Sequence, residues 1–147
     1  FYPPLRRNDY KIAFVSRPFN LDEAAEVIKT RPKLLSLNEM FHVANTFPSE
    51  SEEFREVFEV AAKTFPESET ANINVAVTEL NNNNIDAALE RLEKMKDSPA
   101  AWNMLGVAYA QKDMDEQAEE YFNKAIEQGD EDALHNLQQL ERYLQDK

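Results

Sequence analysis

No cysteine occurs anywhere in the 147 residues, so disulfides, thiolate metal sites and a cysteine nucleophile are excluded. That absence leaves the compartment open, because many proteins of oxidising compartments carry no cysteine either. Only two glycines are present, Gly106 and Gly129, beside seven prolines. Such scarcity of turn glycine disfavours a β-sandwich or barrel, which depends on many tight reversals. No apolar stretch approaches the length of a membrane span. Glycine-rich phosphate loops, H-E-x-x-H helices and EF-hand loops are equally missing. The chain opens on Phe1 rather than Met and shows no signal-peptide pattern, as expected of an excised piece or a processed product.

Positive charge is also short: 16 Lys and Arg stand against 28 Asp and Glu, a net −12. The imbalance is uneven. Residues 1–33 hold seven basic and four acidic side chains, a net of +3, which leaves nine against twenty-four and −15 for the remainder. A body of that sign repels phosphate backbones and anionic membranes, which argues against nucleic acid as a partner and against direct membrane insertion. Most of the acidity reads as solvated surface.

What is present is helical. Aliphatic and aromatic residues make up 42% of the chain, enough for a folded core, and Ala, Glu, Leu, Asn and Lys fill long stretches, as helices prefer. A repeat follows from the spacing. Trp102, Leu105, Gly106 and Tyr109 fall on one helix and Ala118, Phe122 and Ala125 on a second. Small residues at Gly106 and Ala118 let paired helices approach, while the larger side chains fill the space between them. Fainter copies lie upstream. Phe41, Val75 and Leu105 are separated by 34 and then 30 residues, as are Phe58, Leu92 and Phe122, and Ala61, Met95 and Ala125. The shorter interval places a clipped turn between Lys94 and Pro99. His42 and Ala76 stand where the third unit has Gly106, which predicts looser packing in the first pair.

Start signals divide the chain in the same way. Asn20 with Glu23, Ser49 with Glu52 and Asp113 with Glu116 read as capping boxes. Ser98 before Pro99 reads as an N-cap, and Asn84 as the cap of the helix after the asparagine run. Residues 131–145 carry Ala133, Leu134, Leu137, Leu140 and Leu144 on one face, the pattern of a terminal capping helix. Residues 20–33 read as a leading helix and turn, with Leu21, Ala24, Ala25 and Ile28 apolar.

The unit at residues 99–130 resembles the tetratricopeptide signature in seven of its eight usual positions, Asp130 standing where the family usually has proline. Pro66 occupies that position in the first unit. The resemblance implies an all-α, TPR-like α-solenoid of three helix pairs plus a C-terminal capping helix over residues 34–147. In such an array His42 and His135 lie at opposite ends, too far apart to share a metal ion; His42 is expected to pack between helices and His135 to face solvent. Adjacent acids such as Glu52 and Glu53, or Glu119 and Glu120, read as solvated helix faces rather than catalytic pairs. No enzyme, cofactor or metal is expected. Trp102, Tyr109, Phe122, Phe58 and Phe54 are assigned to core, and Trp102→Ala would cost about 3–5 kcal/mol if that site is buried.

Residues 1–19 differ in kind: Tyr10, Ile12 and Phe14 alternate with Lys11, Ala13 and Val15, a strand period. The segment from Leu5 through Arg6, Arg7, Asn8, Asp9, Tyr10 and Lys11 to Ile12 resembles the closing strand of the outer-membrane-protein-A-like peptidoglycan-binding domain. It implies the C-terminal repeat region of a bacterial cell-envelope protein, periplasmic or outer-membrane-associated. The alternatives are an extended arm lying on the array and a cytoplasmic scaffold.

By resemblance to the family, the functional surface is the concave face formed by the first helix of each pair. It carries Glu39, Val43 and Thr46, then Ile73, Asn74, Val77 and Leu80, then Asn103, Val107 and Ala110. No Lys or Arg falls in residues 35–47, 69–84 or 99–111. The basic positions of a carboxylate clamp are held by Glu39, Ala100 and Met104, so the expected partner is an apolar or basic polypeptide. The competing reading is a structural spacer or lid on an upstream domain of the same chain, with no external ligand.

Overall fold

A computed structural model describes residues 20–147. The strand or extended arm expected for residues 1–19 lies outside this range. Among the described residues there are eight α-helices, one 3₁₀ turn and no strand. The helices are α1 (Leu21–Thr30), α2 (Leu37–Ala44), α3 (Glu52–Thr64), α4 (Glu69–Asn81), α5 (Ile85–Glu93), α6 (Pro99–Gln111), α7 (Asp115–Glu127) and α8 (Glu131–Gln145), with the 3₁₀ turn Pro32–Leu34 between the first two. From α2 onward each helix packs on the next in chain order. In addition α4 packs on α6 and α6 on α8, so the first helices of the second and third pairs also touch, as do that of the third pair and the last helix. That contact pattern is the one a solenoid of helix pairs produces.

The tightest contact lies in the third pair. A Cβ built on Gly106 would stand 2.5 Å from the Phe122 ring, closer than real carbon atoms pack, so hydrogen is the only side chain that fits there. Phe122 is itself 2% exposed and Leu105 fully buried. In the second pair Ala76 and Leu92 take the positions of Gly106 and Phe122, both fully buried. The first pair departs from the register expected of it. Val43 and Ala44 are buried there, whereas Phe41 is half-buried and His42 exposed. Val43 and Ala44 therefore stand 32 residues ahead of Val75 and Ala76, not 34. The second helices keep the 34-residue interval from Phe58 to Leu92, so the first unit has two residues fewer between Val43 and Phe58 than the second has between Val75 and Leu92; α2 stops one residue after Val43, and its longer loop to α3 does not make up the turn it lacks. His42 accordingly does not pack between helices, because the shift turns it outward. His135 is exposed, as expected.

Caps explain where the helices begin. The complete capping box is Ser36 with Glu39: the Ser36 hydroxyl accepts from the Glu39 amide at 3.2 Å, and the Glu39 carboxylate accepts from the Ser36 amide at 2.7 Å. Asn20 caps α1 as read from the sequence. Ser51, not Ser49, caps α3. Asp113 is no cap at all. It occupies the left-handed region at φ 58°, and Asn83, thirty residues earlier, does the same at φ 62°; short polar side chains tolerate that conformation in tight helix–helix turns. Neither Asn84 nor Ser98 makes a side-chain cap bond. Asp130, the departure from the family proline, accepts from the Ala133 amide at 3.0 Å and starts α8.

The leading helix α1 buries Ala24 and Ile28 in the core around α2 and α3. At the other end α8 buries Ala133, Leu137 and Leu140, while Leu134 and Leu144 of the same predicted stripe are 45% and 36% exposed. Trp102 is half-buried, so its truncation costs less than the full-burial figure expected for it, and Phe122 is the anchor. The contact between Gly106 and Phe122 yields a direct check. Gly106→Ala should destabilise the chain by about 1–3 kcal/mol through overpacking, and adding Phe122→Leu should recover part of that loss, as read by urea denaturation.

Candidate functional site

The ten residues expected on the concave face do not form one open surface. Val43, Leu80 and Asn103 are only 1%, 6% and 8% exposed. The first two belong to the hydrophobic core. Asn103 is covered by α8, whose Asn136 side-chain amide donates to the Asn103 side-chain oxygen at 3.0 Å. These three therefore contribute packing, because the neighbouring helices close over them. Glu39 has its carboxylate turned back on Ser36, and Asn74 donates to the Thr70 carbonyl one turn earlier at 2.8 Å. Thr46 is exposed and donates to the Val43 carbonyl. Ile73, Val77, Val107 and Ala110 remain half-buried, a narrow apolar strip on α4 and α6 with no cation on either helix.

A larger concavity lies elsewhere. A cleft of about 810 Å³ opens between α4 and α5 and the turns that follow α3 and α5. Its origin is visible in the 30-residue offset between the second and third units. Trp102, Tyr109 and Tyr121 have Asn72, Glu79 and Arg91 as their counterparts. In the third unit the Tyr109 and Tyr121 rings stack at 5.6 Å with an 8° interplanar angle, and the Trp102 indole N–H donates to the Lys96 carbonyl at 2.8 Å. In the second unit the rings are gone but part of the wiring stays. The Asn72 amide donates to the carbonyl of Pro66 at 3.0 Å, and Pro66 is the 30-residue counterpart of Lys96. Arg91 donates to both Glu79 oxygens, at 3.1 and 3.3 Å, and to the Asn72 side-chain oxygen at 3.0 Å. A fork so fully engaged is held rigidly. The sequence signal for this cleft was available in that offset, but a search guided by the family's concave positions passes over it.

The aromatic trio of the third unit has an electrostatic signature. Partial burial of the Tyr109 hydroxyl, and after it the 2.7 Å hydrogen bond donated to Glu93, push its pKa up to about 12 from 10.0. A raised pKa means that the folded state holds this proton more tightly than the unfolded chain does. The stabilisation is complete below pH 10 and is lost as the pH climbs through about 12. Urea titrations across that interval should show stability falling more steeply in the wild type than in Tyr109→Phe.

A tetratricopeptide-repeat family model matches residues 99–128, which is the α6–α7 pair. No curated protein sequence matches the chain. The repeat supports a TPR-like domain, and tetratricopeptide repeats are generally non-catalytic modules of protein–protein interaction.

Proposed function

We propose that the chain is a protein-interaction module that holds an extended apolar or basic polypeptide segment on the concave side of its helix pairs. The observation that carries this reading is the half-exposed strip of Ile73, Val77, Val107 and Ala110, on helices without Lys or Arg, beside the matched repeat. Apolar strips on first helices suit a peptide whose side chains alternate between contact and solvent, and the −12 charge of the chain favours a cationic partner. Among the described residues no helix is long and apolar enough to cross a membrane.

A specific observation favours a second reading. Val43, Leu80 and Asn103 are consumed by internal packing, as they would be in a spacer or lid that serves an upstream domain of the same chain. The bacterial envelope remains the compartment of both readings on the resemblance of Leu5 to Ile12, and cell fractionation of the parent protein tests it: recovery in cytosol alone removes that placement.

The two functions separate by mutation. Ile73→Glu with Val107→Glu, once circular dichroism shows the pair folded, is expected to abolish crosslinking to a partner captured by the wild type from envelope extract. Equal lanes, or lanes empty for both proteins, leave the spacer.

A further inference from the structure

We propose that the cleft between α4 and α5 is a binding site for an aromatic side chain carried on a basic polypeptide segment, separate from the concave strip. The third unit supplies the template. At the positions of Asn72, Glu79 and Arg91 it places three rings, Trp102, Tyr109 and Tyr121. In the second unit the side-chain bond to the carbonyl of the preceding turn is kept and the ring volume is missing. The opening of about 810 Å³ falls within the range of roughly 300–1,000 Å³ typical of ligand sites.

The walls suit a ring. Pro66, Ala87, Met95 and Pro99 give apolar surface, and a methionine thioether makes favourable contacts with aromatic edges. The Arg91 guanidinium is held by Glu79 and Asn72, so it offers a preset cationic plane for a ring to cover. Three of the five Arg91 N–H donors are spent on Glu79 and Asn72 and its charge is matched by Glu79, which makes it a poor anion receptor.

The rim decides what flanks the ring. Five acidic residues line the cleft, Glu67, Glu69, Glu79, Glu90 and Asp97, against Arg91 and Lys94. Glu79 is matched by Arg91 and Glu90 by Lys94, which leaves Glu67, Glu69 and Asp97 as the surplus negative charge at the edge. Lysine or arginine beside the aromatic residue meets that surplus. A metal ion is the poorer occupant, since among the described residues no three His, Asp or Glu side chains are arranged to hold one.

The probe is the capped peptide Lys-Lys-Trp-Lys-Lys, compared with its analogue carrying alanine for tryptophan and with Glu-Glu-Trp-Glu-Glu, titrated into the full chain at 0.15 M salt. The basic tryptophan peptide is expected to bind at least tenfold more tightly than either control, and its ring current should move the Met95 methyl resonance. Asn72→Trp gives the second unit the third unit's own filling; it should keep the helical circular dichroism and weaken binding at least tenfold. Glu67→Lys with Asp97→Lys alters exposed side chains only and should also weaken binding at least tenfold, an arm that stands even where Asn72→Trp fails to fold. Equal binding of the tryptophan and alanine peptides overturns the proposal. So does a stationary Met95 methyl, undiminished binding by a folded Asn72→Trp or by the double lysine variant, or no binding by any of the peptides.

Discussion

In the second and third units the separation of the paired helices is set where a small residue on the first helix packs with a large one on the second. Gly106 against Phe122 is the extreme, with no room for a methyl group, and Ala76 repeats it with Leu92 behind. Helix pairs held this close put their remaining side chains within reach of the neighbouring pair, and stacking of pairs then buries Ala101, Leu105 and Ala108 completely. Dispersion across such a contact is strong because it is dense, and equally intolerant of added volume. Closure of the core and the position of the last helix follow from that spacing.

Filling between pairs is a separate matter, and here the units diverge. The third solves the problem with stacked rings, the second with a guanidinium–carboxylate–amide network. Both satisfy their polar atoms, so both are compatible with a stable pair. They differ in volume, and that difference leaves the opening beside Arg91. Specialisation of a repeat thus needs no change to its backbone: the αL turns at Asn83 and Asp113 are equivalent, and so are the side-chain N–H bonds, amide in one unit and indole in the other, reaching back to Pro66 and Lys96.

Much of the fold could be read from the sequence because helical spacing and small-residue positions act locally. Phe58, Leu92 and Phe122 are buried as their intervals require, and Asn20 caps as its side chain allows. The first helix of the first pair was misaligned by two residues, since its eight residues give too little periodicity to fix a register against a longer loop. Capping was the weaker guide. Ser, Asn and Asp serve caps and turns alike, and whether Asp113 takes one role or the other depends on φ. The concave residues were least legible. Position within a repeat says which way a side chain starts out, but Val43, Leu80 and Asn103 are closed over by neighbours that only the packed array brings near.

The bond between Asn136 and Asn103 carries one more consequence. Two amides meet across α8 and α6 in a largely apolar seam. Sliding α8 by one turn would part them and strand at least one polar group away from water, a loss of about 1–3 kcal/mol. The buried face of α8 resists the same slide, because a one-turn shift would set Leu137 at the fully buried Ala133 site or Glu141 at the Leu137 site. The amide pair therefore acts as an index pin alongside the packing: side-chain volume and one hydrogen bond select the same seat for the last helix, as a single buried asparagine fixes register in a coiled coil.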